Sequence, residues 1–193
     1  MKKLLSFALA LCMLLSATAA LAEEATNYFF EAEYTYMDNV VGGGISGAAA
    51  GLNMIIENAD AHNEFFVGST HSDKTILTFV ITADADCTAT LRVRLGNELS
   101  AMKLNPDILI VKVNDELFEY EEFELPAEVK AVGRTFTNFV LGDISLKEGE
   151  NNITFQVGPN EYCNGATGGP LFDCIILSTA AGLEMTEYEE NIE

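Results

Sequence analysis

Glu31 and Glu33 stand two residues apart in Tyr28–Tyr36, a run of aromatic and acidic residues that reads as a strand. Residues i and i+2 of a strand project from one face, so both carboxylates would lie side by side with Ala32 turned the other way. Like charges so placed repel unless a cation or a base lies between them. A hard divalent ion such as Ca²⁺ takes roughly six to eight oxygen ligands. Asp173, near the far end of the chain, would add a third carboxylate, with backbone carbonyls and water completing the set. The alternative is that Glu31 and Glu33 are two solvent-facing members of a chain with 30 Asp plus Glu.

Other chemistries find less to work with. So many carboxylates guarantee some pair at glycosidase-like separation, so the existence of pairs decides nothing. His62 and His71 have neither an HxxxH partner nor a cysteine at metal spacing, and read as surface loop residues. No Gly-x-Ser-x-Gly elbow is present, and Gly42-Gly43-Gly44 is not followed by the Gly-Lys-Ser/Thr of a phosphate-cradling loop. The expectation is a protein without catalytic activity.

Composition narrows the partners. Ten Lys plus Arg stand against 30 acidic residues, a formal charge of −20 over 193 residues, which excludes a basic footprint for nucleic acid or anionic lipid. Met1-Lys2-Lys3, the apolar Leu4–Leu15 and the Ala20-Leu21-Ala22 motif form a signal-peptide pattern over residues 1–22, and no later segment is long and apolar enough to span a membrane. The expected product is secreted. Loss of Lys2 and Lys3 takes the basic count from 10 to 8 and the charge from −20 to −22. Cys12 would leave with the leader, and an odd set of Cys87, Cys163 and Cys174 remains, which is no disulfide framework. Cys163 and Cys174 bracket a Gly-rich loop and either pair or leave Cys174 as a small buried hydrophobe.

The elements that must position these groups read as strands. Eight or nine segments rich in β-branched and aromatic residues recur, separated by turn signals such as Gly96-Asn97, Asn114-Asp115 and Gly158-Pro159-Asn160. Thr88–Leu95 alternates Ala89, Leu91, Val93 and Leu95 against Thr88, Thr90, Arg92 and Arg94. Thr75–Thr82 reads as buried on both faces. Val40–Ile56 is apolar but holds five glycines, at roughly 1 kcal/mol each in a helix, and reads as a loop with one short strand or turn. The expected fold class is all-β, an antiparallel two-sheet sandwich of the jelly-roll kind over residues 23–178. Residues 179–193, with five Glu between 184 and 193, are expected as an acidic C-terminal tail.

The order of the pieces is similar to a known family. Phe30-Glu31-Ala32-Glu33 resembles the Glu-Ala-Glu opening of carbohydrate-binding modules of families 6 and 35, which have a galactose-binding-like β-sandwich. Phe66-Val67-Gly68 with Ile76–Ile81, and Thr88–Arg94, resemble their following strands. Val111-Lys112-Val113-Asn114 resembles a Val-x-Val-Asn-Gly hairpin with Asp115 in the glycine place. Ile144-Ser145-Leu146 followed by Gly149, Asn151 and Ile153 resembles a Val-x-Leu-x-x-Gly-x-Asn-x-Ile signature, and Phe172–Leu177 the last strand. The resemblance spans about residues 28–178. It implies a structural Ca²⁺ held by Glu31, Glu33 and Asp173 where the first and last strands meet.

It also implies a glycan site in loops at one end of the sandwich, built from an aromatic ring for the sugar face and an amide for its hydroxyls. The chain has no Trp; Phe136 stands near the family's Trp position, and Tyr162 and Asn164 lie in the loop before the last strand. Phe136, Tyr162 and Asn164 are therefore the expected carbohydrate-binding residues, for a polysaccharide or oligosaccharide. A partner enzyme or cell surface on another chain is compatible with this reading. The alternative is a cell-surface or assembly domain of the same fold without sugar binding.

Overall fold

The computed structural model describes residues 24–37, 40–41, 53–70, 75–97, 101–126, 135–158 and 169–188. The expected signal peptide (1–22), His71, Tyr162, Cys163 and Asn164 lie outside the described residues. In chain order the strands are β1 (Thr26–Glu31), β2 (Tyr36–Met37), β3 (Val40–Val41), β4 (Asn53–Glu57), β5 (Phe65–Gly68), β6 (Ile76–Ala83), β7 (Cys87–Gly96), β8 (Met102–Leu104), β9 (Leu109–Val113), β10 (Glu116–Leu117), β11 (Phe123–Leu125), β12 (Thr137–Leu146), β13 (Gly149–Val157), β14 (Leu171–Thr179) and β15 (Leu183–Met185).

One sheet runs β12-β7-β14-β5-β4-β3, with β1 also on β14; the other runs β10-β9-β13-β6-β15, with β2 also on β6. The expected β-sandwich is thus observed, antiparallel except for the short parallel pair β3–β4. Strand alternation explains the layers. Ala89, Leu91, Val93 and Leu95 of β7, and Leu77, Phe79 and Ile81 of β6, are each fully buried between the sheets. Phe155 of β13 ties the layers together, its ring centroid 5.9 Å from both Phe79 and Phe172 at steep interplanar angles. Each such ring contributes roughly 1.5–3 kcal/mol by leaving water.

Three expectations are corrected. Tyr28–Tyr36 is two strands, because Ala32–Tyr34 forms a 3₁₀ turn closed by Thr35 N–H and Oγ donating to Ala32 O. In β6 only one face is fully buried; Ile76 is exposed, and Thr78 and Val80 are half-buried. Within the expected acidic tail, Leu183–Met185 forms the edge strand β15 on β6, and Tyr188 N–H donates to Tyr34 O. Backbone pairing there outweighs the solvation of acidic side chains, which can still face water from an edge.

The topology builds one special junction. β1 and β5 both pair with the same strand: β1 along residues 174–179 of β14, and β5 only at Phe172. They meet end to end beside β14. No helix among the described residues is long and apolar enough to cross a membrane.

Candidate functional site

Asp173 sits at that junction because the β14–β7 ladder slips there. Phe172 pairs with Leu95 and Cys174 with Arg94, which leaves Asp173 as the extra residue of a bulge. The bulge lets Phe172 and Ile175 both enter the main core while Asp173 and Cys174 turn away from it. Cys174 lies directly opposite Glu31, the last residue of β1, so the two share a face.

The loop between β4 and β5 closes over this point. It is shaped by Asn58, whose N–H donates to Glu64 O, whose carbonyl accepts from Ala61 N–H, and whose Oδ1 accepts from Asp60 N–H. His62 N–H then donates to Asp173 Oδ1 at 3.0 Å, and His62 Nδ1 lies 2.5 Å from Glu31 Oε1. The imidazole stacks on Phe29, centroids 4.3 Å apart and planes within 2°. From the adjacent strand, Arg94 Nη1 donates to Asp173 Oδ2 and Nη2 to Asp60 O. Asn63 Nδ2 donates to Glu33 Oε1 at 3.4 Å.

The electrostatics are unbalanced toward negative charge. Glu33 and Asp173 are wholly buried, and the Glu31 side chain is 11% exposed. Arg94 is the permanent cation among the described residues at this junction, and His62 adds charge only when protonated. Burial pushes the Glu33 carboxyl up to about 8, with Glu31 adding to the rise. Burial also raises Glu31, opposed by the hydrogen bond and charge of His62. Oε2 of Glu31 is buried without a hydrogen-bond partner. A buried acceptor lacking a donor, within a set of carboxylates exceeding the cations beside them, fits a divalent cation.

The three expected ligands are brought to one end of the sheet, although by a different route from strand alternation. Glu31 ends β1, whereas Glu33 is carried on the 3₁₀ turn. The side chains whose ligand atoms lie within 4.8 Å of one another are Glu31, Asp173 and Cys174. Cys174 is a free thiol, 1% exposed, as expected for a small buried hydrophobe.

The expected sugar residues fare differently. Phe136 is 7% exposed and belongs to a second apolar cluster with Ala61, Phe66 and Leu171. Its ring meets Phe66 at 5.3 Å, and the Arg94 guanidinium carbon lies 5.4 Å from its centroid. Phe136 is therefore a packing residue and offers no open face to a sugar. Tyr162 and Asn164 lie outside the described residues. Sequence reasoning missed His62, Arg94 and Cys174. His62 carried no spacing signal, since its partners Glu31 and Asp173 are 31 and 111 residues away.

No protein-family model matches the sequence, and no curated protein matches it either. Solved structures do. A family 35 carbohydrate-binding module from an environmental isolate is similar at 20% identity and a TM-score of 0.54, over 82% of this chain and 96% of that one. A family 35 module from Clostridium thermocellum is similar at 14% identity and a TM-score of 0.54, over 79% and 98%. The Podospora anserina GH26-CBM35 β-(1,4)-mannanase shares 18% identity and a TM-score of 0.54 over 81% of this chain, which spans only 28% of the enzyme's length. The two domains matched along almost their whole length are thus binding modules, while the enzyme is matched in a fraction. The chain has the fold of a family 35 carbohydrate-binding module.

Proposed function

We propose that the protein is a secreted, non-catalytic carbohydrate-binding module that holds a glycan through loops at one end of a calcium-stabilised sandwich. The observation that carries this reading is the pairing of a family 35 fold with the carboxylates of Glu31, Glu33 and Asp173, the last two wholly buried, at one strand junction. The chain's own residues orient the metal set: His62 fixes Glu31, Arg94 and the His62 N–H fix Asp173, and Asn63 fixes Glu33. A bound Ca²⁺ would supply charge neutralisation and tie the first strand to the last. Tyr162 and Asn164 are the residues assigned to the glycan, Tyr162 for a sugar face and Asn164 for its hydroxyls. Binding of this kind is weak, because solvated hydroxyls exchange water for a few partners.

Retention on polysaccharide affinity gels and a glycan array, with and without chelator, tests this. Retention by at least one glycan, lost in Tyr162→Ala, is the expected result; a folded protein that ignores every glycan overturns it. The burial of Phe136 favours the second reading, a cell-surface or assembly domain that keeps the sandwich without a sugar site. That reading predicts no retention at all.

A further inference from the structure

Cys174 gives the carboxylate cluster a ligand of a different chemical kind. Its sulfur lies within 4.8 Å of carboxylate oxygens of both Glu31 and Asp173. The residue is 1% exposed, forms no disulfide, and among the described residues its thiol has no hydrogen-bond partner. Opposite it, Glu31 Oε2 is a buried acceptor without a donor. A buried thiol beside two carboxylates, one of which keeps an unsatisfied buried oxygen, leaves polar groups away from water without partners.

We infer that this cluster takes a thiophilic divalent cation, Zn²⁺ foremost, on the sulfur of Cys174 and the carboxylates of Glu31 and Asp173. Hard Ca²⁺ is bound by oxygen and gains nothing from a thiolate, whereas Zn²⁺ readily takes mixed sulfur and oxygen sets. On binding, the S–H bond breaks, the proton leaves to solvent and the sulfur donates its pair to the metal. Charge then balances: the thiolate and two carboxylates are matched by the metal and Arg94. Rigid strands supply all three ligands, and Arg94 with the His62 N–H already holds Asp173 in place. The inference rests on the reading that this junction holds a cation, and differs in the ion. Zn²⁺ and Ca²⁺ would compete for Glu31 and Asp173, with Cys174 serving only Zn²⁺.

Cadmium reports thiolate ligation directly, through a sulfur-to-metal charge-transfer absorption in the ultraviolet. The full chain, stripped of metal and reduced, is titrated with Cd²⁺ and, by calorimetry, with Zn²⁺ and Ca²⁺. A second protein carries Cys12→Ser, Cys87→Ser and Cys163→Ser, leaving Cys174 as its sole thiol. The expected result is a band saturating at one equivalent in both proteins, lost in Cys174→Ala, with Zn²⁺ affinity at least tenfold weaker and Ca²⁺ affinity unchanged. A band that persists in Cys174→Ala, or none in the single-thiol protein, overturns the inference. Should Cys174→Ala not fold, Glu31→Gln takes its place, with the same tenfold loss expected and unchanged Zn²⁺ affinity overturning it. Zn²⁺ failing while Ca²⁺ binds sinks this inference and spares the calcium reading; Ca²⁺ failing while Zn²⁺ binds does the reverse.

Discussion

Arg94 donates from Nη1 to Asp173 Oδ2 across the β7–β14 ladder, at the bulge that makes Asp173 the extra residue of its strand. The carboxylate is wholly buried and the arginine side chain 21% exposed, so the pair is shielded from solvent on the acid's side. Removing one partner of such a pair leaves an uncompensated buried charge and costs about 3–5 kcal/mol. Arg94→Met is expected to lower stability by that order in urea unfolding without metal. Arg94→Met combined with Asp173→Asn is expected to recover part of the loss, because no unpaired charge remains. A double variant whose loss equals the sum of the separate Arg94→Met and Asp173→Asn losses would show that the pair is not coupled.

Phe136 lies under the same guanidinium, in contact with Phe66 and Leu171. Truncating a buried phenylalanine removes its transfer energy and opens a cavity, together about 3–5 kcal/mol. Phe136→Ala is therefore expected to destabilise the fold, while Phe136→Leu, which refills much of the space, is expected to retain glycan affinity within twofold. A Phe136→Leu protein with native stability and no glycan retention would restore the ring to a binding role.

Much of the sandwich is legible in residue pattern, because inward and outward faces alternate with period two; Thr88–Leu95 shows this without ambiguity. What pattern cannot convey is where a ladder slips. The bulge at Asp173 and the 3₁₀ turn at Ala32–Tyr34 decide which way the acidic side chains point, and both arise from tertiary pairing: the bulge from the ladder of β14 with β7, the turn from the step between β1 on β14 and β2 on β6. Motif order brings Glu31 and Asp173 together on paper and marks Arg94 as the end of its strand motif; it cannot show that the guanidinium reaches Asp173. Phe136 misleads for a related reason, since a ring beside a loop looks the same in sequence whether it packs inward or faces a ligand.

Calcium should act on stability through Glu31, Glu33 and Asp173. A ligand that binds only the native state adds roughly 2.7 kcal/mol at a hundredfold excess over its dissociation constant. Thermal unfolding with Ca²⁺ against excess chelator is expected to show a raised midpoint, and Asp173→Ala is expected to abolish the difference. A midpoint indifferent to Ca²⁺ in the unaltered protein would remove calcium from the cluster.

Asn151 explains the Gly-x-Asn part of the sequence signature in physical terms. It is 1% exposed, its Nδ2 donates to the carbonyls of Lys147 and Gly149, and its Oδ1 accepts from Lys147 N–H and Asn114 Nδ2. Both donors and both acceptor positions are used, so the side chain stitches the β12–β13 turn to the β9–β10 turn. Asn151→Ala leaves several turn groups without partners and is expected to cost about 2–4 kcal/mol, from roughly 1 kcal/mol per bond plus desolvation. Asn151→Asp, which keeps the acceptor but sets a carboxylate against two carbonyls, should be no better than alanine. Denaturant midpoints of the two variants check both statements.

The β9–β10 turn itself carries correctable strain. Val113 pairs with Glu116, and the two residues between them, Asn114 and Asp115, have φ of 51° and 68°. A two-residue hairpin loop with both central φ positive is the type I′ geometry, for which Asn-Gly is the preferred pair. Asn114 tolerates the left-handed region and uses its side chain, its Oδ1 accepting from Asn152 N–H. Asp115 has no such compensating bond among the described residues and also adds charge to an acidic surface. Asp115→Gly relieves the strain while raising the entropy of the unfolded chain, and the balance is expected to favour folding by about 0.5 kcal/mol. Asp115→Asn should fall between the glycine variant and the unaltered protein. If glycine instead lowers the unfolding midpoint, Asp115 makes a contribution to the hairpin that backbone geometry does not explain.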